Sequence, residues 1–500
     1  MREFGLNSIA DVPGVLTFRA PEASKKNFAP RVGLAYSPGV SGRTSIRAGF
    51  GMAYDQIFDN VGTNARPPQA TSTVDLTGLP GSGFLAGGGI SPGAVPAALT
   101  PLAARIATSS YLPPNQQLGY AITWNAGIQH TFASDYTAEI RYVGTKGVHL
   151  LFQNQINRNS LVSATNNLPT YMQMPSQATL DSLQLTTAAL AAIRATCPAS
   201  GANYQNCSPL YDPIGQYGFV NAITEYAPLG NSHYHGLVLE LKKRYSRNLL
   251  FDSNYTWSHN IDDSTAEVAS VIATPRRPED FNSLGRERAN SALDRRHRFT
   301  LTTVYTLPLF SGSKNPFVRN SLGNWEVSGT YFLESGEWAT PQSGVDTNQN
   351  GDSAADRVIL NPNGAPGTSS DVTALKNSAG ATVAYLANNP NAQFIRAQVG
   401  AYATSGRNIL ATPRIDNVVF GIAKNITIKE RYGLQLRSDM YNALNHPQYT
   451  LGRINDADPR NTFTGFTANP FIPGNPAFAS WDTQFRSNSR FLIVSARLTF

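Results

Sequence analysis

Asp346, Asn348, Asn350, Gly351 and Asp352 set side-chain oxygens at alternate positions with a glycine among them. That is the spacing with which a loop wraps a calcium ion. The expected ligand set is Asp346, Asn348, Asn350 and Asp352. At the twelfth position stands Arg357, where such a loop carries a bidentate glutamate. The same residue types also build hairpin turns by bonding their own backbone. A second group is His233, His235, His259, Asp262 and Asp263, near the ends of neighbouring segments. Acid–base chemistry needs such pairs within hydrogen-bond reach, which spacing alone does not give. No His-Glu-x-x-His metal pair occurs. Arg295, Arg296 and Arg298 flank His297 and would suit an anionic sugar or simply water. Cys197 and Cys207 fit a disulfide across a short surface loop in an oxidising compartment, or two free thiols. Without a histidine pair they do not fill a zinc shell.

The elements that must carry these residues are strands. From 490 to 500, Leu492, Val494, Ala496, Leu498 and Phe500 alternate with Ile493, Ser495, Arg497 and Thr499. Period two puts the first set on one face of a strand and the second on the other. The pattern recurs in Tyr432, Leu434, Leu436 and Met440; in Val418, Phe420 and Ile422; and in Trp325, Val327, Tyr331 and Leu333. It recurs again around 299–307, 249–257, 237–241, 136–142, 122–128, 46–54 and 32–36. Charged residues fall mainly on the other face. Most of these segments run near ten residues, the length of a tilted strand that crosses a bilayer.

The connections sort by length. Ala133-Ser134, 245–247 and 428–430 are tight, and 38–44 and 308–323 are moderate. Between them lie 55–120, 144–233, 259–296, 335–414 and 452–488. Short turns on one side and long loops on the other are the mark of a transmembrane barrel. With the C-terminal strand ending in the periplasm, every long loop is expected to be extracellular. Leu498 and Phe500 are then the expected terminal signal for barrel-assembly machinery.

Composition agrees. The chain has 500 residues, 41% hydrophobic and 15% charged, with 21 Tyr and 24 Phe. A charged fraction near 25% is usual for soluble domains. Mean hydropathy is −0.25, which speaks against a bundle of spanning helices but not against a barrel, half of whose strand residues are polar. The uncharged run 76–104 is broken by Gly and Pro throughout, so it is no spanning helix. Net charge is +7, spread along the strands instead of gathered with aromatics, so nucleic acid is not an expected partner. The first ten residues hold no apolar signal region. The expectation is therefore a partial chain or a misplaced start.

Several runs resemble the barrel of Oar-like TonB-dependent receptors of the acidobacterial type. They are Asn27-Phe28-Ala29-Pro30-Arg31-Val32-Gly33, Ile46-Arg47-Ala48-Gly49-Phe50-Gly51, Tyr142-Val143-Gly144-Thr145-Lys146-Gly147, Asp294-Arg295-Arg296-His297-Arg298-Phe299 and Asn442-Ala443-Leu444-Asn445-His446-Pro447. The closing Ala496-Arg497-Leu498-Thr499-Phe500 is similar too. The resemblance implies a 22-stranded outer-membrane barrel, an internal plug and a TonB-box segment that couples to inner-membrane energy. This sequence accounts for about eleven or twelve strands.

The reading is an all-β, antiparallel transmembrane barrel region over 28–500, led into by 1–27, with plug and TonB box absent. Its expected work is binding or moving a bulky ligand, without enzymatic chemistry and without a cofactor beyond the calcium site. Its expected partners are outer-membrane lipid, the assembly machinery and, through the plug, the TonB system. Alternatives are a surface adhesin or passive porin, and a hydrolase using the rim histidines and aspartates.

Overall fold

The computed structural model describes residues 7–19, 22, 24–56, 61, 99–198, 201–265, 275, 277–428, 432–448, 469–481 and 488–500. The turn at 428–430, the uncharged run 76–104 and most of the connections 55–120 and 452–488 lie largely outside the described residues.

Eleven strands form one antiparallel meander, each paired with its neighbours in sequence. They are β1 (Arg31–Tyr36), β2 (Thr44–Tyr54), β3 (Tyr120–Phe132), β4 (Tyr136–Gln155), β5 (Thr224–Ser246) and β6 (Leu249–Asp262). Then follow β7 (His297–Thr306), β8 (Trp325–Glu334), β9 (Ile415–Ile428), β10 (Tyr432–Tyr441) and β11 (Phe491–Thr499). The strands that alternation predicts are the strands found.

Register decides what the alternation means, because directly opposed residues share a face. Tyr36, Ile46, Ile128, Ile140, Leu239, Tyr255, Phe299 and Leu333 succeed one another across β1 to β8. Gly329, Phe420, Met440 and Leu492 continue the same face across β8 to β11. Eleven apolar stripes thus join into one sheet-wide apolar face. Arg47, Arg141, Thr256, Arg298 and Glu334 line the other face. Arg141 pairs with Glu139 at 3.4 Å and Arg437 with Asp439 at 2.8 Å there, so polar groups on that face answer one another. Exposed Val32, Leu34, Phe50, Ile128, Ile140, Leu239, Leu436, Val494 and Leu498 all belong to the apolar face.

At the short-turn end this face carries two lysines, each held by a turn. Lys243 Nζ donates to the carbonyls of Ser246 (2.8 Å) and Leu249 (3.1 Å), lies 3.2 Å from Asp135 and sits over the Tyr136 ring. Lys424 donates to the Gly323 carbonyl beside the Trp325 ring. Both rest an aliphatic stem on apolar surface while the ammonium reaches a polar turn. The β5–β6 turn is two residues long, with Arg247 and Asn248 both at positive φ (49° and 67°). That is the two-residue geometry whose twist matches a hairpin.

Two strands exceed the expectation. β4 has 20 residues and β5 has 23, so the loop read as 144–233 is really 156–223. The reason lies at the register shifts between Gly147 and Phe152, where a bulge flips the parity and hides the extension from a period-two reading. Strands of that length run well past a bilayer core.

Among the described residues the sheet has two open edges. β1 and β11 are exposed along their whole length and end the pairing order. With eleven antiparallel strands between and including them, they point the same way.

Buried apolar residues gather in the connections. All five apolar clusters lie in residues 9–18, 99–111, 156–223, 335–414 or 469–481. The lead-in is part of this: Ala10 and Phe18 pack with Ala104, Phe219 and Ile223. We call these packed connections the canopy.

Candidate functional site

Three long connections cross-link to make the canopy: 156–223, 263–296 and 335–414. Residues Thr382–Ala387 add a strand beside Thr170–Tyr171, and the Leu168 amide donates to the Gly400 carbonyl at 2.8 Å. Leu168 and Leu190 pack with Tyr385, Ala397 and Ala401 in one cluster. Burial pushes the Tyr385 hydroxyl up to about 12, while it donates to the Val399 carbonyl at 2.7 Å. Phe471 and Trp481 close over Val358, Phe394 and Leu410 in another cluster.

Charge ties the connections where apolar contact ends. Arg357, 1% exposed, pairs with Glu287 and lies 3.8 Å from Glu279. Arg407, also 1% exposed, pairs with Asp262 at the end of β6 and donates to the Glu287 carbonyl at 2.9 Å. Arg158 pairs with Asp212. Each guanidinium meets more than one acceptor, as a buried charge requires, although Arg357 Nε has no hydrogen-bond partner among the described residues. Burial raises the carboxyls of Glu279 and Asp212 despite these partners. Asp356 differs. It accepts from Thr347 Oγ1 at 2.8 Å, and its Oδ2 has no hydrogen-bond partner among the described residues. Burial, with Asp346 and Glu279 adding to it, holds its carboxyl well above the usual carboxylate range.

The residues with calcium-loop spacing form a closed turn. Asp346 accepts from the amides of Asn350 (3.1 Å) and Gly351 (2.9 Å) and pairs with Arg194 at 2.9 Å. Asn348 accepts from the Asn350 amide and Asn350 from the Asp352 amide. Asp352 pairs with Arg277, and the side-chain amides of Asn348 and Asn350 donate to the Glu279 carbonyl. Two guanidinium groups stand where a cation's charge would be needed, and Arg357 belongs to the buried network, not to this turn. The arrangement is an Asx-rich turn that locks 346–352 onto 277–279.

The histidines and aspartates near the strand ends are dispersed. His235 and His259 face each other across β5 and β6, but His235 Nδ1 lies 2.7 Å from the Tyr142 hydroxyl. His259 contacts Asn290 Oδ1 at 2.9 Å. Asp262 belongs to Arg407, and Asp263 accepts from the Asn231 amide at 2.9 Å. No acid–base pair forms among them. Arg295 bonds Glu334 and Glu337, Arg296 lies 3.8 Å from Asp294, and Arg298 lies 3.4 Å from Glu334. The Gly89-Ile90-Ser91-Pro92-Gly93 run has the letters of a nucleophile elbow and lies outside the described residues. Its Pro92 has no amide hydrogen to give an oxyanion. Cys197 and Cys207 are joined in a disulfide beside Asp212.

The decisive comparison concerns the whole chain. The family model of the outer membrane beta barrel domain matches residues 9–479. The chain belongs to that family. The apolar face is therefore the lipid face of an outer-membrane barrel, and the polar face looks into its lumen. No curated protein matches the sequence. Among solved structures, the outer membrane transporter YddB of Escherichia coli is similar at 9% identity over 95% of this chain and 41% of its own, with a TM-score of 0.43. A mutant of the ferric enterobactin receptor PfeA of Pseudomonas aeruginosa is similar at 8% identity over 95% and 40%, with a TM-score of 0.38. The siderophore receptor PiuA of Acinetobacter baumannii is similar at 8% over 94% and 35%, again at 0.38. The barrel chain thus spans about two fifths of the length of the first of these.

The canopy is what alternation could not reveal. Its apolar residues follow no period, and no spacing marks its buried arginines.

Proposed function

We propose that this chain is the barrel region of an outer-membrane receptor or transporter of the TonB-dependent kind, and that its canopy captures a bulky ligand outside the cell. The observation that carries this is the segregation of the connections. Every long connection emerges at one end of a sheet with one lipid face and one polar face, and there their described parts fold together on apolar clusters and buried ion pairs. Tight turns occupy the other end. A barrel that needed only to span a membrane would gain nothing from a folded layer on one side. Loops fixed by a rigid scaffold are where recognition is usually placed. The long connections are extracellular in this reading, the C-terminus is periplasmic, and further strands of the same protein pair with β1 and β11. The sequence resemblance to Oar-like receptors supports the same reading.

The test is made on the intact protein in cells. Protease sites inserted near Ala164 and Ser378, both in the canopy, should be cut from outside. Sites at Ala133 or Arg247 should be cut only after the outer membrane is opened. Cutting at Ala133 in intact cells would invert the topology. Deleting 365–389 should abolish ligand-dependent growth or binding while leaving the barrel inserted, and unchanged uptake would sink the capture role.

A further inference from the structure

We propose that Lys146, His233, His235, His259, Arg288 and His297 form an outward-facing site for a membrane lipid whose headgroup carries phosphomonoesters. Five of them lie on the lipid face of the strands, and Arg288 comes to it from the 263–296 connection. Lys146 opposes His233, Gly144 opposes His235, His235 opposes His259, and His297 opposes Trp257. Arg288 reaches the same face, with its Nη2 3.4 Å from His233 Nδ1.

Chemistry changes abruptly along these strands. Going from the short turns toward the canopy, β5 presents Leu241, Leu239 and Leu237, then His235 and His233. β6 presents Phe251, Tyr255 and Trp257, then His259. β4 presents Ile140 and Tyr142, then Lys146. The change falls at an aromatic band. The Trp124 indole lies across Gly144, where a β-carbon would collide with it, and packs edge-on against His235 with centroids 6.1 Å apart. Tyr142 and Trp257 are exposed beside it. Amphipathic aromatics mark headgroup height on a barrel wall. The basic residues therefore begin where acyl chains end.

The two permanent cations are unanswered. Among the described residues no carboxylate pairs with Lys146 or Arg288, and the acidic neighbour Asp263 is tied to the amide and side chain of Asn231. The lysines at the opposite end of this face, Lys243 and Lys424, are held by their turns. Tyrosine hydroxyls fix the rings of His235 (2.7 Å) and His297 (2.8 Å) through Nδ1, and each Nε2 has no partner among the described residues. Two fixed cations, two oriented imidazoles and an aromatic floor at headgroup height suit the extra negative charge of a phosphomonoester on a lipid, which a zwitterionic phosphodiester headgroup lacks. A soluble ligand entering the lumen would not meet them.

The test uses the full-length protein extracted from outer membranes in mild detergent. It is exposed separately to diphosphoryl lipid A, dephosphorylated lipid A and phosphatidylethanolamine, and bound lipid is counted by native mass spectrometry. The wild type should retain diphosphoryl lipid A and neither of the others. Lys146→Gln with Arg288→Gln should lower that retention about tenfold or more. Arg47→Gln with Lys242→Gln, on the lumen face, should leave it unchanged. Equal retention by the lipid-face variant and the wild type would overturn the site, as would equal retention of the dephosphorylated lipid. Heat-modifiability reports folding of each variant. If the neutral pair does not fold, Lys146→Arg with Arg288→Lys must still select the phosphorylated lipid, and loss of that selectivity would overturn the proposal as well.

Discussion

Lys424 shows how much a single position depends on its height in the membrane. It stands on the lipid face opposite Leu436, yet the turn at Gly323 accepts its ammonium. A charge introduced at Leu436 has the same escape. Leu239 has none, since Ile140 and Tyr255 flank it on adjacent strands and Leu237 and Leu241 along its own. Leu239→Arg should cost about 2–4 kcal/mol of barrel stability, whereas Thr256→Arg on the lumen face should cost little. Urea unfolding of the inserted barrel followed by gel mobility measures both, and equal costs would remove the lipid assignment of that face. The turn at 346–352 makes a second residue-scale case. Its carboxylates already face Arg194 and Arg277. Removing calcium with a chelator should leave canopy protease resistance unchanged, while Arg194→Ala should lower it, because one buried partner is left behind. A rise in sensitivity on chelation would show that the spacing does hold a metal.

At the scale of elements, the strands were legible and the canopy was not. Alternation located all eleven strands because each has one face in lipid, which enforces period two. It stopped being informative at the Gly147–Phe152 bulge, beyond which β4 and β5 pair without a lipid face to keep the rhythm. In the canopy, Leu168, Phe219, Val358 and Ile395 meet from distant segments with no shared spacing. Arg357 and Arg407 carry no sequence mark that separates them from surface arginines. The calcium spacing was visible, but the guanidinium groups that occupy its surroundings are not. Arg194 lies 152 positions from Asp346 and Arg277 lies 75 from Asp352, separations that only a folded chain closes. Acid behaviour of this layer follows from Asp356. Its carboxyl is raised in the folded state, so its stabilising contribution is complete below the ordinary carboxylate range and is lost as pH rises through the raised value. Asp212, Glu279 and Asp346 are raised in the same direction by burial. Canopy proteolysis should therefore be slower at mildly acidic pH than at neutral pH. Asp356→Asn should flatten that difference without weakening the canopy at neutral pH. Faster proteolysis of wild type on acidification would reverse the sign.

For the whole molecule, the last strand is the proposed determinant of insertion. Phe500 is 89% exposed and continues the lipid-facing parity of Leu498, Ala496, Val494 and Leu492. Removing it takes away an interfacial aromatic and the residue proposed as an assembly signal. Phe500→Ser should reduce the amount of protein in outer-membrane fractions relative to total expression, whereas Thr499→Ser should not. Full insertion of the Phe500→Ser protein would leave the assembly role without support. The fold class, the lipid face and the strand count could be read before any coordinates. The depth of the canopy could not, because what holds it is tertiary charge pairing and aperiodic packing.

The shared direction of β1 and β11 has a consequence for symmetry. A twofold axis along the membrane normal preserves up and down. Two copies of this arc placed about such an axis would meet β11 to β1 with strands running the same way, giving two parallel seams in an otherwise antiparallel cylinder. The same arc bent round on itself would make one such seam. An arc with an odd number of strands restores antiparallel pairing at both joints, since it starts and ends against the grain of its neighbour. Odd parity therefore disfavours self-assembly and favours an unlike complement.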